Sequence, residues 1–370
     1  MENNTKVKVA ITHGDTNGIG YELIFKTFSD PGMLELCTPI IYGSPKVATY
    51  YRNLLKIQAN FKIITDAKEA EEGVVNFLAC VEDEIKVEPR VASEVSGVAA
   101  LQALDRALED YRNGLYDVLV TAPIENTDAF HFSGQSRYIE DHMETESEGL
   151  TLLVSSNVRV ALATRNLPLK QVCESITQAG IEDKCRTLLK VLRRDFRISN
   201  PRIAVLSLNP KAGDNGLLGS EEQEVIQPAI AQLVTEEAQV FGPYAPDEFF
   251  GDNLMDQFDV VLAMYYDQGM VPFRTLSTDA CVNYSAGLPL VRTAPALTEA
   301  LSIAGKGIAD ERALRHAIFT AIDIYRNRNE YDEAVANPLP KLYRERRDES
   351  DKVRFAMPKR RDDANNNNKK

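Results

Sequence analysis

Most features that would commit this chain to a membrane, a disulfide framework or a nucleic acid are missing. Nowhere in its 370 residues is there a run of the ~18 consecutive apolar residues needed to cross a bilayer, and the opening stretch Met1–Lys8 is polar. A cytoplasmic protein with no membrane partner is the expectation. Cysteine is sparse: Cys37, Cys80, Cys173, Cys185 and Cys281 are odd in number, scattered, and form no C-x-x-C pair. That argues against disulfides and a thiolate metal site, and each cysteine is read as a small buried apolar residue. Positive charge is in deficit, 42 Lys and Arg against 55 Asp and Glu, a formal charge of -13. Non-specific nucleic-acid binding needs Lys and Arg to neutralise phosphates, so that class is set aside. A local basic pocket for a small anion is not. No internal repeat is present.

What the chain does have is globular. A hydrophobic fraction of 44% and a charged fraction of 26% leave ample material for a core. The length exceeds what a single core usually reaches, so two lobes with a cleft between them are expected. Short β-branched runs at Val7–Thr12, Pro39–Tyr42, Val118–Thr121, Val158–Ala163, Ile203–Leu208 and Val260–Met264 read as strands. Helical patterns include Val98–Tyr111, Glu221–Leu233 and Glu311–Tyr325. Strands alternating with helices predict an α/β protein with mostly parallel sheets covered by helices. In such sheets ligands collect in the loops at the carboxyl ends of the strands. From Arg344 to Lys370 acids and bases interleave with little apolar content, which predicts a disordered, solvated tail.

The first of those loops, His13-Gly14-Asp15-Thr16-Asn17-Gly18-Ile19-Gly20, opens a helix. Its glycines suit either a phosphate cradle or a tight strand-to-helix turn, but their spacing fits neither the G-x-G-x-x-G nor the Walker A pattern. His13, His131, His142 and His316 are the only histidines, and each is read as a surface or supporting residue.

Later loops are more informative in combination: Gly134-Gln135-Ser136-Arg137, Asn209-Pro210-Lys211-Ala212-Gly213, Gly242-Pro243-Tyr244-Ala245-Pro246-Asp247, Met264-Tyr265-Tyr266-Asp267-Gln268-Gly269, Val282-Asn283-Tyr284 and Gly287 to Thr293. In this order and spacing they resemble the 4-hydroxythreonine-4-phosphate dehydrogenases of vitamin B6 biosynthesis, from about Val7 to about Asn327. The resemblance implies an isocitrate and isopropylmalate dehydrogenase-like fold. It places residues 7–125 plus about 286–340 in a first α/β lobe, about 126–285 in a second, and a homodimer around them. It also implies NAD-dependent oxidation and decarboxylation of 4-phosphohydroxy-L-threonine, with a divalent metal held by three histidines on the substrate's amino alcohol.

At the three metal positions the chain departs from that pattern. T-T-H-L-P is matched by Thr164-Arg165-Asn166-Leu167-Pro168, N-P-H-A-G by the Lys211 loop, and M-Y-H-D-Q-G by the Tyr266 loop. Asn166, Lys211 and Tyr266 therefore stand where the family has histidine. An amide, a cation and a protonated phenol are not expected to hold a transition metal. G-H-T-E becomes Gly134-Gln135-Ser136-Arg137, reversing the sign of the acid. D-H-G-T-A becomes Ala296-Leu297-Thr298-Glu299-Ala300, although Ala304-Gly305-Lys306 persists. Glu299 would repel a pyrophosphate, which brings cofactor binding at Leu297, Thr298 and Glu299 into question.

What remains is a set of candidate substrate contacts, Gln135, Ser136, Arg274, Asn283 and Arg292, with Lys211, Asp247 and Asp267 as candidate catalytic groups. A helix cap or an ion pair with a core acid is the structural alternative for Arg292. Two functions are thus expected to compete. One is a dehydrogenase-like protein with impaired chemistry. The other is a non-catalytic paralogue that binds a phosphorylated or carboxylated anion as a sensor or partner subunit.

Overall fold

The computed structural model describes residues 6–81, 85–124, 134–143, 149–277, 281–297 and 301–337. The charged tail from Arg344, together with His131, Thr298 and Glu299, lies outside the described residues.

Among the described residues twelve strands make one sheet: β1 (Val7–Thr12), β2 (Cys37–Gly43), β3 (Lys62–Ile64), β4 (Asn76–Ala79), β5 (Val118–Thr121), β6 (Leu150–Val154), β7 (Arg159–Leu162), β8 (Ile203–Leu206), β9 (Val240–Tyr244), β10 (Val260–Ala263), β11 (Val282–Ala286) and β12 (Val291–Pro295). Their spatial order is β3-β4-β2-β1-β5-β12-β11-β6-β7-β10-β8-β9. The central pairings β12–β11, β11–β6 and β6–β7 are antiparallel. The flanking pairings are parallel. The chain is thus an α/β protein built on a large, mostly parallel sheet.

Side-chain alternation along each strand explains why both faces are covered. On β1, Val9 and Ile11 enter one apolar cluster and Ala10 another; on β5, Val118 and Val120 part from Leu119 in the same way. The first cluster is continuous across the sheet. It packs helix Arg312–Ala336, through Leu314, Ala317, Ile318 and Ala321, and helix Gln178–Arg194, through Leu188 and Leu192. On the opposite face the core is divided. One cluster packs helix Glu94–Arg112 against β1, β2 and β5, and a separate one packs Phe249, Met270 and Phe273 against β7, β8 and β10. Between them the central strands present Thr121, Thr151, Asn283 and Arg292 to a cleft. Polar residues on four adjacent strands interrupt the apolar layer there.

β1 and β5 match the expected bounds and β2, β7, β8 and β10 differ by one or two residues, whereas β3, β4, β6 and β9 were not anticipated. Val282–Tyr284 and the Arg292 segment, expected as loops, are strands paired to each other. The helix expected over Glu221–Leu233 is a π turn at Glu222–Ile226 followed by an α-helix over Gln227–Thr235. Pro228 lacks an N–H and its ring crowds the preceding turn, which accounts for the widened geometry. Of the cysteines, Cys37, Cys185 and Cys281 are buried, Cys80 is half-buried and Cys173 is exposed.

Of the surface and supporting roles expected for His13, the surface one is excluded. The imidazole is fully buried and stacks on Tyr21, with ring centroids 5.1 Å apart. Burial pushes its pKa down to about 4. The glycine-rich loop that follows is a tight turn, since a Cβ at Gly20 would lie 1.8 Å from the His13 carbonyl oxygen. Every residue from His13 to Gly20 is buried. Among the described residues no helix is long and apolar enough to cross a membrane.

Candidate functional site

The cleft has a volume of about 810 Å³. Its floor is the sheet, and alternation decides which side chains reach it. On β12, Arg292 and Ala294 face the cleft, while Thr293 turns away and donates to the Ala317 carbonyl at 2.8 Å. On β11, Asn283 faces the cleft, and Tyr284 points to the opposite side into a buried cluster with Asp195 and Arg328. In that cluster Arg328 Nε donates to Asp195 Oδ1 at 2.8 Å and Nη2 donates to the Tyr284 hydroxyl at 2.7 Å. A satisfied ion pair therefore braces β11 from behind.

Arg292 is 2% exposed, and all its described partners are neutral. Nε donates to Thr121 Oγ1 at 3.1 Å, Nη1 to Ser136 Oγ at 3.1 Å and Ser285 Oγ at 3.3 Å, and Nη2 to Thr121 and to Gln135 Oε1 at 3.0 Å. Among the described residues no carboxylate pairs with it, so it neither caps a helix nor forms the alternative core ion pair. Burial lowers its pKa to about 10, which leaves the guanidinium protonated at neutral pH. A buried cation without a counter-ion is costly and implies a compensating anion.

Gln135 and Ser136 begin helix Gln135–His142, whose N-cap Gly134 has φ 92° and supplies no side-chain cap. Gln135 Nε2 donates to the Ala122 carbonyl at 2.9 Å, tying this helix to the end of β5. The uncapped first turn adds the positive end of a helix dipole to the Arg292 environment. Asn166 stands across from it: a Cβ at Gly134 would lie 3.4 Å from Asn166 Nδ2. The Asn166 loop is held by Thr164, whose hydroxyl donates to the Met264 carbonyl at 2.7 Å. Gln268 then links β10 to β8, accepting from Met264 N–H and donating to the Ser207 carbonyl, each at 2.7 Å. This fixes helix Tyr266–Leu276, which carries Tyr266 at its start and Arg274 in its last turn. The buried oxygen Asn283 Oδ1 has no partner among the described residues.

The structure thus gathers Gln135, Ser136, Asn166, Tyr266, Arg274, Asn283, Arg292 and Leu297 around one cleft. Lys211, Asp247 and Asp267 are exposed and do not line it within a single chain. Lys211 belongs to a left-handed turn in which Lys211, Ala212, Gly213, Asp214 and Asn215 have φ of 53°, 50°, 79°, 44° and 57°. Buried Glu222 anchors it, with Oε1 accepting from Leu208 N–H at 2.8 Å and Asn209 N–H at 2.7 Å. Glu222 was not anticipated. Arg165, whose signal was its place beside Asn166, was not either; it lines the cleft and pairs with Glu140 at 2.8 Å.

The divalent metal implied by the family resemblance does not fit the residues present. Asn166 and Tyr266 offer a neutral amide and a half-exposed phenol, and Lys211 offers a cation. Among the described residues no group of three His, Cys, Asp or Glu side chains could hold a metal ion.

A family model described as pyridoxal phosphate biosynthetic protein PdxA matches residues 35–321. The 4-hydroxythreonine-4-phosphate dehydrogenase of Bacteroides thetaiotaomicron is 50% identical over 359 residues, covering 96% of this chain and 98% of that one. That of Prosthecochloris aestuarii is 35% identical over 333 residues, covering 86% and 97%. The crystal structure of the Klebsiella pneumoniae 4-hydroxythreonine-4-phosphate dehydrogenase superimposes with a TM-score of 0.73 at 29% identity, covering 88% of this chain and 99% of that one. These likenesses set the chain among oxidoreductases of pyridoxine biosynthesis. It belongs to the PdxA family and is 4-hydroxythreonine-4-phosphate dehydrogenase-like.

Proposed function

We propose that this family member binds a small phosphorylated hydroxy acid in the cleft without a divalent metal, and that its oxidative step is impaired. The carrying observation is Arg292, a buried guanidinium at the base of an open cleft with only neutral partners among the described residues. A phosphate or carboxylate there supplies the missing counter-charge through charge-assisted hydrogen bonds. Arg274, Gln135, Ser136 and Asn283 lie around it to orient the remainder of the ligand. The impairment follows from donor chemistry: Asn166, Lys211 and Tyr266 replace the groups that hold the dication in the resemblance. The same replacements favour the second reading, a non-catalytic paralogue serving as a sensor or partner subunit.

The two halves of the sheet act as lobes, residues 7–125 with 286–340 and residues 126–285, in a cytoplasmic homodimer. Lys211, exposed and outside its own chain's cleft, is available to a second copy. A nicotinamide cofactor plays little part in ligand binding.

The test is a paired assay with 4-hydroxythreonine-4-phosphate. Binding is followed by calorimetry, and NAD reduction by absorbance, on the parent and on an Asn166→His, Lys211→His, Tyr266→His triple variant. The expectation is binding without reduction in the parent, and metal uptake only in the variant. Robust NAD reduction by the parent contradicts the impairment.

A further inference from the structure

One carboxylate joins the two walls of the cleft. Helix Gln135–His142, which carries Gln135 and Ser136, is anchored toward one side of the sheet. Gln135 holds the end of β5, Tyr138 donates to Asp105 Oδ1 at 2.6 Å, and Arg112 donates to the His142 carbonyl at 2.6 Å, Asp105 and Arg112 both lying on helix Glu94–Arg112. The loop of Arg165 and Asn166 is anchored toward the other side. It follows β7, and Thr164 ties it to β10 through the Met264 carbonyl. In the sheet β12, β11 and β6 separate β5 from β7, so the two anchorages stand four strand spacings apart, about 19 Å.

Glu140 closes that span, accepting with both oxygens. Its Oε2 takes Arg165 Nη2 at 2.8 Å, and its Oε1 takes the N–H of Gly149, immediately before β6, at 2.6 Å. The Glu140 and Arg165 side chains are 13% and 27% exposed, so salt and solvent screen this contact less than they would a surface pair. Arg165 itself stands where the T-T-H-L-P pattern has its second threonine, a much shorter side chain. We propose that Glu140 is a positioning residue for the cleft: through Arg165 it holds the Asn166 loop at a fixed distance from Gln135, Ser136 and Arg292, so that one ligand meets both walls. The inference rests on the anion-binding reading of the same cleft. A wall already in place spares the ligand the cost of ordering it. The sign of the effect separates position from charge. By Coulomb's law alone a carboxylate near a bound anion is unfavourable, so neutralising Glu140 would tighten binding. Loss of position weakens it.

Calorimetric titration of 3-phospho-D-glycerate into the full chain tests this. The variants are Glu140→Gln, Glu140→Asp, Arg165→Gln and the double variant Glu140→Gln with Arg165→Gln, and the melting temperature of each is recorded without ligand. Glutamine keeps the shape but presents one acceptor oxygen where the carboxylate uses two, so either Arg165 or the Gly149 N–H is left unmet. Aspartate keeps the charge and loses a methylene of reach. Both should weaken binding, Glu140→Gln by at least about fivefold. In the Arg165→Gln background the same change should cost less than about twofold, because the link is already broken. Tighter or unchanged binding in Glu140→Gln overturns the proposal, and if that variant does not fold, Glu140→Asp decides with the same sign. Losses that simply add in the double variant also overturn it, since Glu140 would then not act through Arg165. A lower melting temperature with unchanged affinity makes Glu140 a structural residue only, which overturns it too. If the parent does not bind the probe, the anion-pocket reading itself fails, and this inference with it.

Discussion

Arg292 on β12 holds Gln135 at the start of the helix across the cleft, Nη2 to Oε1 at 3.0 Å, and Gln135 in turn grips the end of β5 through the Ala122 carbonyl. One buried cation thereby joins the sheet floor to the cleft wall. Because its partners among the described residues are neutral, removing the charge relieves a desolvation cost as well as breaking hydrogen bonds. The expected outcome for Arg292→Met is a melting temperature equal to or above that of the parent, together with loss of the anion-induced rise in melting temperature. A steep fall in stability with anion binding retained would mean that Arg292 is a structural residue.

The Asp195–Tyr284–Arg328 cluster should behave in the opposite way. Here the charges are paired: the Arg328 and Asp195 side chains are 6% and 1% exposed. Arg328→Met leaves Asp195 buried without its cation and should cost about 3–5 kcal/mol in denaturant unfolding. Comparing Arg328→Met with Arg292→Met separates a satisfied buried charge from a ligand-seeking one.

His13 sets a pH dependence. Its folded pKa of about 4 lies below the ordinary value of 6.5 because burial disfavours the imidazolium. Between those values the unfolded chain binds more protons than the folded one. Stability is therefore complete above about 6.5, is lost as pH falls toward about 4, and loses no more below that. The contribution of this one group is on the order of 3 kcal/mol. Urea unfolding across this window should show a shallower slope for His13→Gln than for the parent. Comparing slopes removes the constant cost of lost packing.

Gly20 is the tightest backbone approach in the His13 loop, 1.8 Å from a built Cβ to the His13 carbonyl oxygen. Gly20→Ala must displace backbone and should destabilise by at least about 3 kcal/mol. A near-neutral result would reopen the phosphate-cradle alternative for that loop.

The strands legible in the sequence were those whose β-branched runs are bounded by turn residues, such as Val7–Thr12 and Val118–Thr121. β11 and β12 were hidden because Asn283, Ser285, Arg292 and Thr293 give them a polar, loop-like composition, and those same residues build the cleft floor and its support. Helix Arg312–Ala336 runs well past the expected Tyr325, because its last turns are polar and offer no apolar stripe. The Gln135, Asn283 and Arg292 set was legible from motif order. That Lys211, Asp247 and Asp267 lie outside the cleft was not, because sequence order does not reveal which strand ends share a wall. Arg165 was overlooked beside the more conspicuous Asn166, although a new cation in a ligand loop is itself a signal.

Binding of a phosphorylated acid in the cleft with no metal present is the property on which the role of Arg292 turns. Calorimetric titration of 3-phospho-D-glycerate into the chelator-treated chain measures this, repeated with added manganese or zinc and at rising salt. The predicted result is saturable binding with the same affinity whether or not metal is added, weakening as salt screens the arginines and abolished in Arg292→Ala. Binding that appears only when the metal is supplied, or that survives unchanged in Arg292→Ala, would contradict it.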